Sequence, residues 1–271
     1  MSLVVSPLFS GSSGNCVYVG TRQEAVLADV GVSASAALEQ LALAGLDAAA
    51  VKAVLVTHEH ADHMTGAGVM ARKLGVPVYA TRGTWQAIGK KAGKLMPEQI
   101  MEVTPGEDFY IGGLNIHPFP IPHDCAEPCG FSFFAGGCRA AIATDIGTLK
   151  GEWLAAAEGS DIVMLESNYD TDMLLAGPYS FELKRRIKGT RGHLSNEDAG
   201  KAAVRLARSG TRLIVLSHLS KENNFPELAL ETVKGILAEN DLIPGRDVQL
   251  CVAKRDGLTG VFEIGDDYAG M

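Results

Sequence analysis

The order of the predicted secondary-structure elements constrains the fold of this chain more than any other feature. Short apolar runs typical of strands come first and are followed by helical periods, and the same order recurs in the second half of the chain. Two mixed β-sheets packed face to face, with helices on both outer faces, fit this order. We therefore predict an α/β fold, an αββα sandwich, formed by a single domain over residues 1–271.

The bounds of the predicted elements follow from apolar runs, glycine turns and helix caps. The predicted strands lie at 3–9, 16–20, 24–30, 53–57, 76–80, 108–111, 114–118, 131–135, 138–144, 161–165, 213–216, 248–253 and 260–264. The predicted helices lie at 33–44, 65–74, 82–91, 149–157, 181–188, 195–208 and 226–239.

Composition excludes several classes of protein. With 46% hydrophobic and 21% charged residues, the chain has the composition of a globular protein and not of a disordered one. Its net charge of −8 excludes a globally basic nucleic-acid binder but leaves room for a local basic patch.

No apolar run could span a membrane, and the first residues do not resemble a signal peptide, so we expect a cytoplasmic protein without membrane contact. The five cysteines are irregularly spaced, which argues against a secreted disulfide framework.

The strongest functional signal is a cluster of metal-competent side chains directly after the predicted strand 53–57. The cluster comprises His58, His60, Asp62 and His63. In an extended or tightly turning loop, the first two histidines can point the same way, whereas the last two residues face a neighbouring position. Imidazole and carboxylate suit zinc, iron or manganese. The cluster therefore predicts two adjacent divalent metal ions; the alternative is a surface loop that happens to be rich in histidine.

The spacing His-x-His-x-Asp-His resembles the signature of the metallo-β-lactamase superfamily of hydrolases. Four further residues, each after an apolar run, extend the resemblance over nearly the whole chain: Asp29, His123, Asp145 and His218. The resemblance implies the metallo-β-lactamase fold and a binuclear metal site. Two cations about 3.5–4 Å apart would lower the pKa of a bridging water and so supply the attacking hydroxide.

The resemblance also implies a role for each residue of the set. His58, His60 and His123 would hold one metal, and Asp62, His63 and His218 would hold the other. Asp145 would bridge the two cations, and Asp62 is also counted among the catalytic residues. Asp29 would orient a ligand or the loop backbone from behind the site, although an aspartate at a strand end can also simply cap a turn. Zinc, manganese and iron all remain open as the metal.

Three segments of the chain point to a nucleic-acid substrate by resemblance. Gly192-His193-Leu194-Ser195 is similar to the turn that supplies a catalytic histidine in the phosphodiesterase branch that includes ribonuclease Z. The segments 11–15 and 166–170 resemble the bacterial WalJ/YycJ-like subfamily, described as DNA 5′-exonucleases. We predict that His193 faces the scissile phosphate and protonates the leaving alcohol, since histidine can act as an acid at neutral pH; its structural alternative is a helix-entry histidine that hydrogen-bonds the backbone. The resemblance implies a phosphodiesterase. The alternative is a small-molecule hydrolase of the same superfamily that acts on a thioester, lactone or lactam.

Substrate contacts are predicted at three places. In the 11–15 turn, small residues and polar side chains could bind an anion; Tyr169 could stack on a base, and a basic helix could contact phosphates. Each has a plain structural alternative: a tight turn, a core tyrosine and a solvated helix face. The predicted contact residues are Ser12, Ser13, Asn15, Asn168, Tyr169, Lys184, Arg185 and Arg186.

The pair Cys125 and Cys129 follows His123 closely in the sequence. We expect no metal role for these cysteines, because the implied ligand set is already complete and no second pair exists for a zinc ribbon. The sequence leaves the oligomeric state open.

Overall fold

The computed structural model describes residues 2–265, which form two mixed β-sheets with helices. Its strands are β1 (Leu3–Phe9), β2 (Cys16–Gly20), β3 (Ala25–Ala28), β4 (Val51–Leu55), β5 (Val78–Thr81), β6 (Ile100–Val103), β7 (Phe109–Ile111), β8 (Leu114–Pro120), β9 (Cys129–Ala135), β10 (Cys138–Ala143), β11 (Ile162–Glu166), β12 (Leu213–Ser217), β13 (Gln249–Val252) and β14 (Phe262–Ile264). Its α-helices are α1 (Ala34–Leu43), α2 (Ala61–Met64), α3 (Ala67–Leu74), α4 (Arg82–Ile88), α5 (Trp153–Ala157), α6 (Thr171–Ala176), α7 (Phe181–Ile187), α8 (Asn196–Arg208) and α9 (Pro226–Glu239). Short 3₁₀ turns lie at Ala48–Ala50, Gly89–Ala92 and Pro97–Gln99.

The first sheet has the strand order β14-β1-β2-β3-β4-β5-β6. Its first four strands pair antiparallel, and the pairs from β3 to β6 are parallel. A parallel pair requires a crossover, and α1 and α3 provide the first two. Every residue of β2 and β3 is buried, as expected for strands covered on both faces.

The second sheet has the strand order β13-β12-β11-β10-β9-β8-β7. The pairs from β10 to β13 are parallel, and β7 and β8 form the hairpin predicted at Gly112-Gly113. Strands β11 and β12 are buried along their whole length. Their packing therefore fixes the positions of the residues at their carboxyl ends.

The chain divides into two compact units, which are described separately. The first unit comprises the described residues up to Phe119, Cys125–Arg139 and those from Lys254 onward; the second comprises Pro120–Asp124 and Ala140–Ala253. In the first unit, α1 and α3 pack on the first sheet around a core that includes Leu41 and Met70. In the second, α8 packs on α9 and β11. This division does not test the prediction of a single domain, which stays a prediction.

The structure confirms the α/β class and most predicted elements, with shifts at their ends. The predicted strand 24–30 ends at Ala28, because Asp29 has a left-handed backbone with φ 59°. The predicted helix 149–157 forms only at Trp153–Ala157, because Gly151 has φ 126° and interrupts it. The helix expected at 65–74 forms as α3, which begins two residues later and ends as predicted. The short helix α2, which begins inside the histidine motif, was not predicted. The elements β6 and α6 were not predicted.

Among residues 2–265, no helix combines the length and apolarity needed to cross a bilayer.

Candidate metal centre

Three of the predicted site residues have a left-handed backbone directly after a strand. Asp29 follows β3 with φ 59°, Asp145 lies after β10 with φ 59°, and His218 follows β12 with φ 57°. Among the described non-glycine residues, only Asp241 shares a positive φ. This conformation costs roughly 1–2 kcal/mol for an L-residue and persists where the surroundings hold it, often at functional sites. The fold therefore holds these three residues in an unfavourable backbone conformation, and this conformation sets the direction of their side chains.

In the first unit, the residues of the predicted motif lie together in the turn after β4 and in the helix α2 that follows. The ring centroids of His58 and His60 are 4.7 Å apart, and those of His58 and His63 are 4.1 Å apart. His58 and His63 are fully buried, while His60 is partly exposed and stands at the N-cap of α2. Asp62 lies in the first turn of α2. We refer to His58, His60, Asp62 and His63 as the loop cluster.

Asp29 holds this turn through three hydrogen bonds to its carboxylate. The carboxylate accepts from the Thr57 backbone N–H at 2.9 Å, from the Thr57 hydroxyl at 3.0 Å and from His63 Nδ1 at 2.8 Å. The His58 Nδ1 lies 3.0 Å from the same hydroxyl. With Nδ1–H bonded to a carboxylate, His63 presents Nε2 as its lone-pair atom, which is the arrangement that metal-binding histidines commonly show.

Asn15 connects the 11–15 turn to the loop cluster. Its amide donates to the Asp62 carbonyl at 3.2 Å and lies 3.1 Å from His63 Nε2, and its carbonyl oxygen accepts from the Gly11 N–H at 3.0 Å. A β-carbon on Gly31 would lie 1.7 Å from the Asp62 carbonyl oxygen, so only glycine allows the backbone to pass there. Asn15 is buried and its amide is engaged with the protein, whereas Ser12 and Ser13 are exposed on the turn.

In the second unit, a buried glutamate organises the site, and the sequence analysis did not single it out. Glu166, the last residue of β11, has no solvent exposure. One carboxylate oxygen accepts from His193 Nδ1 at 2.7 Å and from His218 Nδ1 at 3.1 Å. The other accepts from the backbone N–H groups of Ile146 at 2.7 Å and Leu194 at 3.1 Å. We refer to His123, Asp145, Glu166, His193 and His218 as the strand-end cluster.

Electrostatics keep Glu166 ionised in spite of its burial. Burial alone would raise the pKa of this carboxyl, but the charge of His193 and its hydrogen bond, and then the hydrogen bond of His218, lower the pKa below its ordinary value. Buried charges are stable only when they are paired and hydrogen-bonded in this way. Glu166 therefore accepts from both histidines as a carboxylate.

The remaining members of the strand-end cluster surround Asp145. The Asp145 Oδ1 lies 3.6 Å from His123 Nε2, from His193 Nδ1 and from His218 Nδ1. Burial lowers the pKa of His123, although Asp145 opposes this shift, so its imidazole is neutral at physiological pH. His123 Nδ1 donates to the Gly192 carbonyl at 3.0 Å, which leaves Nε2 as its lone-pair atom.

His193 differs from the other two histidines of the strand-end cluster in its access to solvent. Its side chain is 20% exposed, whereas those of His123 and His218 are buried. Its ring centroid lies 5.1 Å from that of His123 and 5.4 Å from that of His218. The cluster therefore combines two enclosed imidazoles with one that a substrate can reach.

The predicted substrate contacts in the second unit are engaged with the protein to different degrees. The Asn168 amide donates to the His218 carbonyl at 2.8 Å. Tyr169 is buried, which together with the nearby carboxylates raises the pKa of its hydroxyl. In α7, Lys184 donates to the carbonyls of Leu175 and Gly177, while Arg186 pairs with Asp124 and Arg185 is exposed. Contact of these residues with substrate stays a prediction.

Comparison with known proteins gives matches of three kinds: a family model, relatives in sequence and solved structures. A family model described as a β-lactamase superfamily domain matches residues 25–219. Exodeoxyribonuclease YycJ of Bacillus anthracis is 38% identical over 88% of this chain and 90% of its own length. Exodeoxyribonuclease WalJ of Streptococcus pneumoniae is 37% identical over 96% of this chain and 97% of its own length. Among solved structures, the metallo-β-lactamase fold protein YhfI of Bacillus subtilis matches with a TM-score of 0.72 at 15% identity, over 97% of this chain and 100% of its own. With the two mixed sheets, these matches confirm the predicted α/β sandwich.

Proposed function

This chain belongs to the metallo-β-lactamase superfamily and is a metal-dependent hydrolase, and we propose that it acts as a 5′-exonuclease on DNA. The support for the substrate comes from two relatives named exodeoxyribonuclease, which align with the chain over most of their length. The support for the chemistry comes from the hydrogen bond between His193 and the buried Glu166.

The proposed cofactor is a pair of divalent cations held by both clusters. We assign His58, His60 and His123 to one cation, Asp62, His63 and His218 to the other, and Asp145 to both; this assignment rests on the order of the ligands in the sequence. The hydrogen bonds inside each unit fit the role. His63, His123 and His218 each have Nδ1 bonded to a protein acceptor, namely Asp29, the Gly192 carbonyl and Glu166. Such partners fix the tautomer that presents Nε2 to a metal.

When bound, two such cations would activate the attacking water and neutralise charge on the phosphate. The mixed nitrogen and oxygen donors suit zinc, manganese or iron.

His193 has the surroundings of a proton donor to the leaving alcohol. The Glu166 carboxylate, 2.7 Å from Nδ1, fixes the ring, so Nε2 can be directed towards substrate. The 20% exposure of the side chain leaves it accessible, and the Ser195 hydroxyl, which accepts from the Asp198 N–H at 3.1 Å, fixes the helix that follows. A DNA alkoxide leaves poorly without a proton. Protonation by His193 would therefore assist the step in which the bond between phosphorus and the leaving oxygen breaks. His193 and Asp62 remain the proposed catalytic residues.

An assay on three substrates tests the proposed function. The purified protein, supplied with Mn²⁺ or Zn²⁺, is given a 5′-phosphorylated DNA duplex, single-stranded DNA and a generic phosphodiester. We expect nucleotides to be released progressively from the 5′ end. Hydrolysis of a thioester or lactone with no cleavage of any phosphodiester would reject the nuclease and favour a small-molecule hydrolase.

A further inference from the structure

The thiol of Cys125 lies beside the loop cluster in the first unit. Its Sγ is 3.5 Å from His60 Nε2 and 3.8 Å from His60 Nδ1. One ligand atom each of His58, His60 and Cys125 lies within 4.8 Å of the other two. Cys125 is buried, with 8% relative exposure, so its thiol faces protein and not bulk water. These three side chains therefore form a compact set of two imidazoles and one sulfur.

The separation between sulfur and nitrogen matches that of two ligands on one cation. Zinc binds thiolate sulfur at about 2.3 Å and imidazole nitrogen at about 2.0–2.1 Å, and at a tetrahedral angle these lengths place sulfur and nitrogen about 3.6 Å apart. The observed separation between Cys125 Sγ and His60 Nε2 is 3.5 Å. The distance between the two atoms is therefore compatible with both binding one metal.

The backbone around Cys125 is fixed to the loop cluster on both sides. The Ala126 N–H donates to the Glu59 carboxylate at 2.9 Å, and the Cys129 N–H donates to the Thr57 carbonyl at 3.0 Å. Because Glu59 and Thr57 flank His58 in the motif, these bonds hold the thiol in place relative to the predicted ligands. A positioned donor of this kind binds a metal at lower entropic cost than a mobile one.

The other cysteines have different surroundings. Cys16, Cys129 and Cys138 are buried and Cys251 is partly exposed, and none of the described groups able to hold a metal includes them. Among the residues that the structure describes, the groups able to hold a metal contain one cysteine, Cys125. Cys125 therefore differs from the other cysteines in its proximity to histidines, although the sequence alone predicted no metal role for it.

We propose that Cys125 is an additional ligand of the cation bound by His58 and His60. The inference rests on the metal site of the proposed function and adds a soft donor to it. On binding, the sulfur donates an electron pair to the cation and the thiol proton is released to solvent. Thiolate favours zinc and other thiophilic cations over manganese, so Cys125 makes this position selective for them.

Titration of the metal-free protein with Co²⁺ alone tests the inference. Cobalt reports its binding through visible d–d bands and reports a sulfur ligand through a charge-transfer band in the near ultraviolet. We expect both bands in the wild type and in the control Cys251→Ser, and only the d–d bands in Cys125→Ser. We also expect Cys125→Ser to lose roughly tenfold or more of its Zn²⁺ affinity while its Mn²⁺ affinity changes little.

The outcomes separate this inference from the proposed function. Cobalt d–d bands without a charge-transfer band in the wild type, or a charge-transfer band that persists in Cys125→Ser, would overturn the sulfur ligand and leave the metal site standing. Absence of all cobalt bands in the wild type would overturn both.

A measurement on the wild type alone covers the case in which Cys125→Ser does not fold. Alkylation of thiols, followed by mass spectrometry, should show that Zn²⁺ slows modification of Cys125 and leaves that of Cys251 unchanged. Equal modification of Cys125 with and without Zn²⁺ would also overturn the inference.

Discussion

The loop cluster and the strand-end cluster supply similar side chains in two different ways. The loop cluster comes from one segment of six residues, which spans the turn after β4 and the first residues of α2. The strand-end cluster collects residues that are far apart in sequence, and a buried carboxylate, Glu166, holds two of its histidines. The difference shows why a contiguous motif reveals its ligands, whereas the positioning role of Glu166, the first residue of the segment 166–170, emerges only from the fold. In each cluster a carboxylate bonded to Nδ1 of a histidine performs the positioning.

The largest effect is expected for Asp145, which we assign to both cations. Asp145→Ala should abolish turnover and the stoichiometric binding of two metals, because the cations lose the carboxylate that compensates their repulsion. Elemental analysis and the exonuclease assay measure the two effects. Since alanine at φ 59° adds backbone strain, Asp145→Asn serves as a companion variant that tolerates this conformation. Two tightly held metals in a fully active variant would contradict the assignment.

The next effect concerns His193. His193→Ala should retain the fold and both metals and lower kcat by roughly 10²–10⁴-fold on DNA, because the leaving alkoxide loses its proton donor. The loss should shrink on a nitrophenyl phosphodiester, whose leaving group needs no proton.

His117→Ala is a matched control for His193→Ala, because His117 is a first-unit histidine that pairs with Asp108 at 2.6 Å. Equal losses of His193→Ala on both substrates would argue against proton donation. No loss on either would remove His193 from the site.

The two positioning carboxylates should give different signatures. Asp29→Asn should weaken metal binding by roughly 10–100-fold, with the same fractional loss of activity on DNA and on the nitrophenyl substrate, because Asp29 acts through the predicted ligand His63. Glu166→Gln should weaken metal binding through His218 and, in addition, reduce activity on DNA more than on the nitrophenyl substrate through His193. Metal titration together with kcat on both substrates measures the contrast. Identical patterns in the two variants would show that the clusters do not divide these tasks.

The smallest effect on chemistry is expected outside both clusters. Charge reversal at Lys184, Arg185 and Arg186 should weaken DNA binding and flatten its dependence on salt, while metal content stays unchanged. Because Lys184 and Arg186 also make contacts inside the protein, Arg185→Glu alone is the variant least affected by folding. Affinities measured across a salt series provide the check. An unchanged slope would mean that this helix face is merely solvated.

The sequence predicted strongly periodic elements well and weakly patterned ones poorly. Helix α9 begins and ends at the residues expected, since Pro226 opens it and its apolar period is regular. Strand β6 was missed because it has only four residues and Glu102 interrupts them, which leaves an apolar run too short to signal a strand. Helix α6, with six residues, is too short for a period to emerge.

The same physics limited the prediction of the candidate site. The loop cluster is contiguous and therefore visible as a motif, whereas the role of Glu166 depends on backbone N–H groups and histidines from other segments. The available signal was an acidic residue closing the otherwise apolar strand β11, a placement that is costly without partners. The proximity of Cys125 to His60 likewise depends on tertiary structure, because 65 positions separate them.

The left-handed backbones of Asp29, Asp145 and His218 have a consequence for heat resistance. Each of them costs roughly 1–2 kcal/mol, which is a noticeable part of the free energy of unfolding of an ordinary domain, about 5–15 kcal/mol. Ligands that bind only the folded form raise the melting temperature, so the cations offset this loss when they occupy the site. Treatment with a chelator should therefore lower the thermal midpoint of the protein.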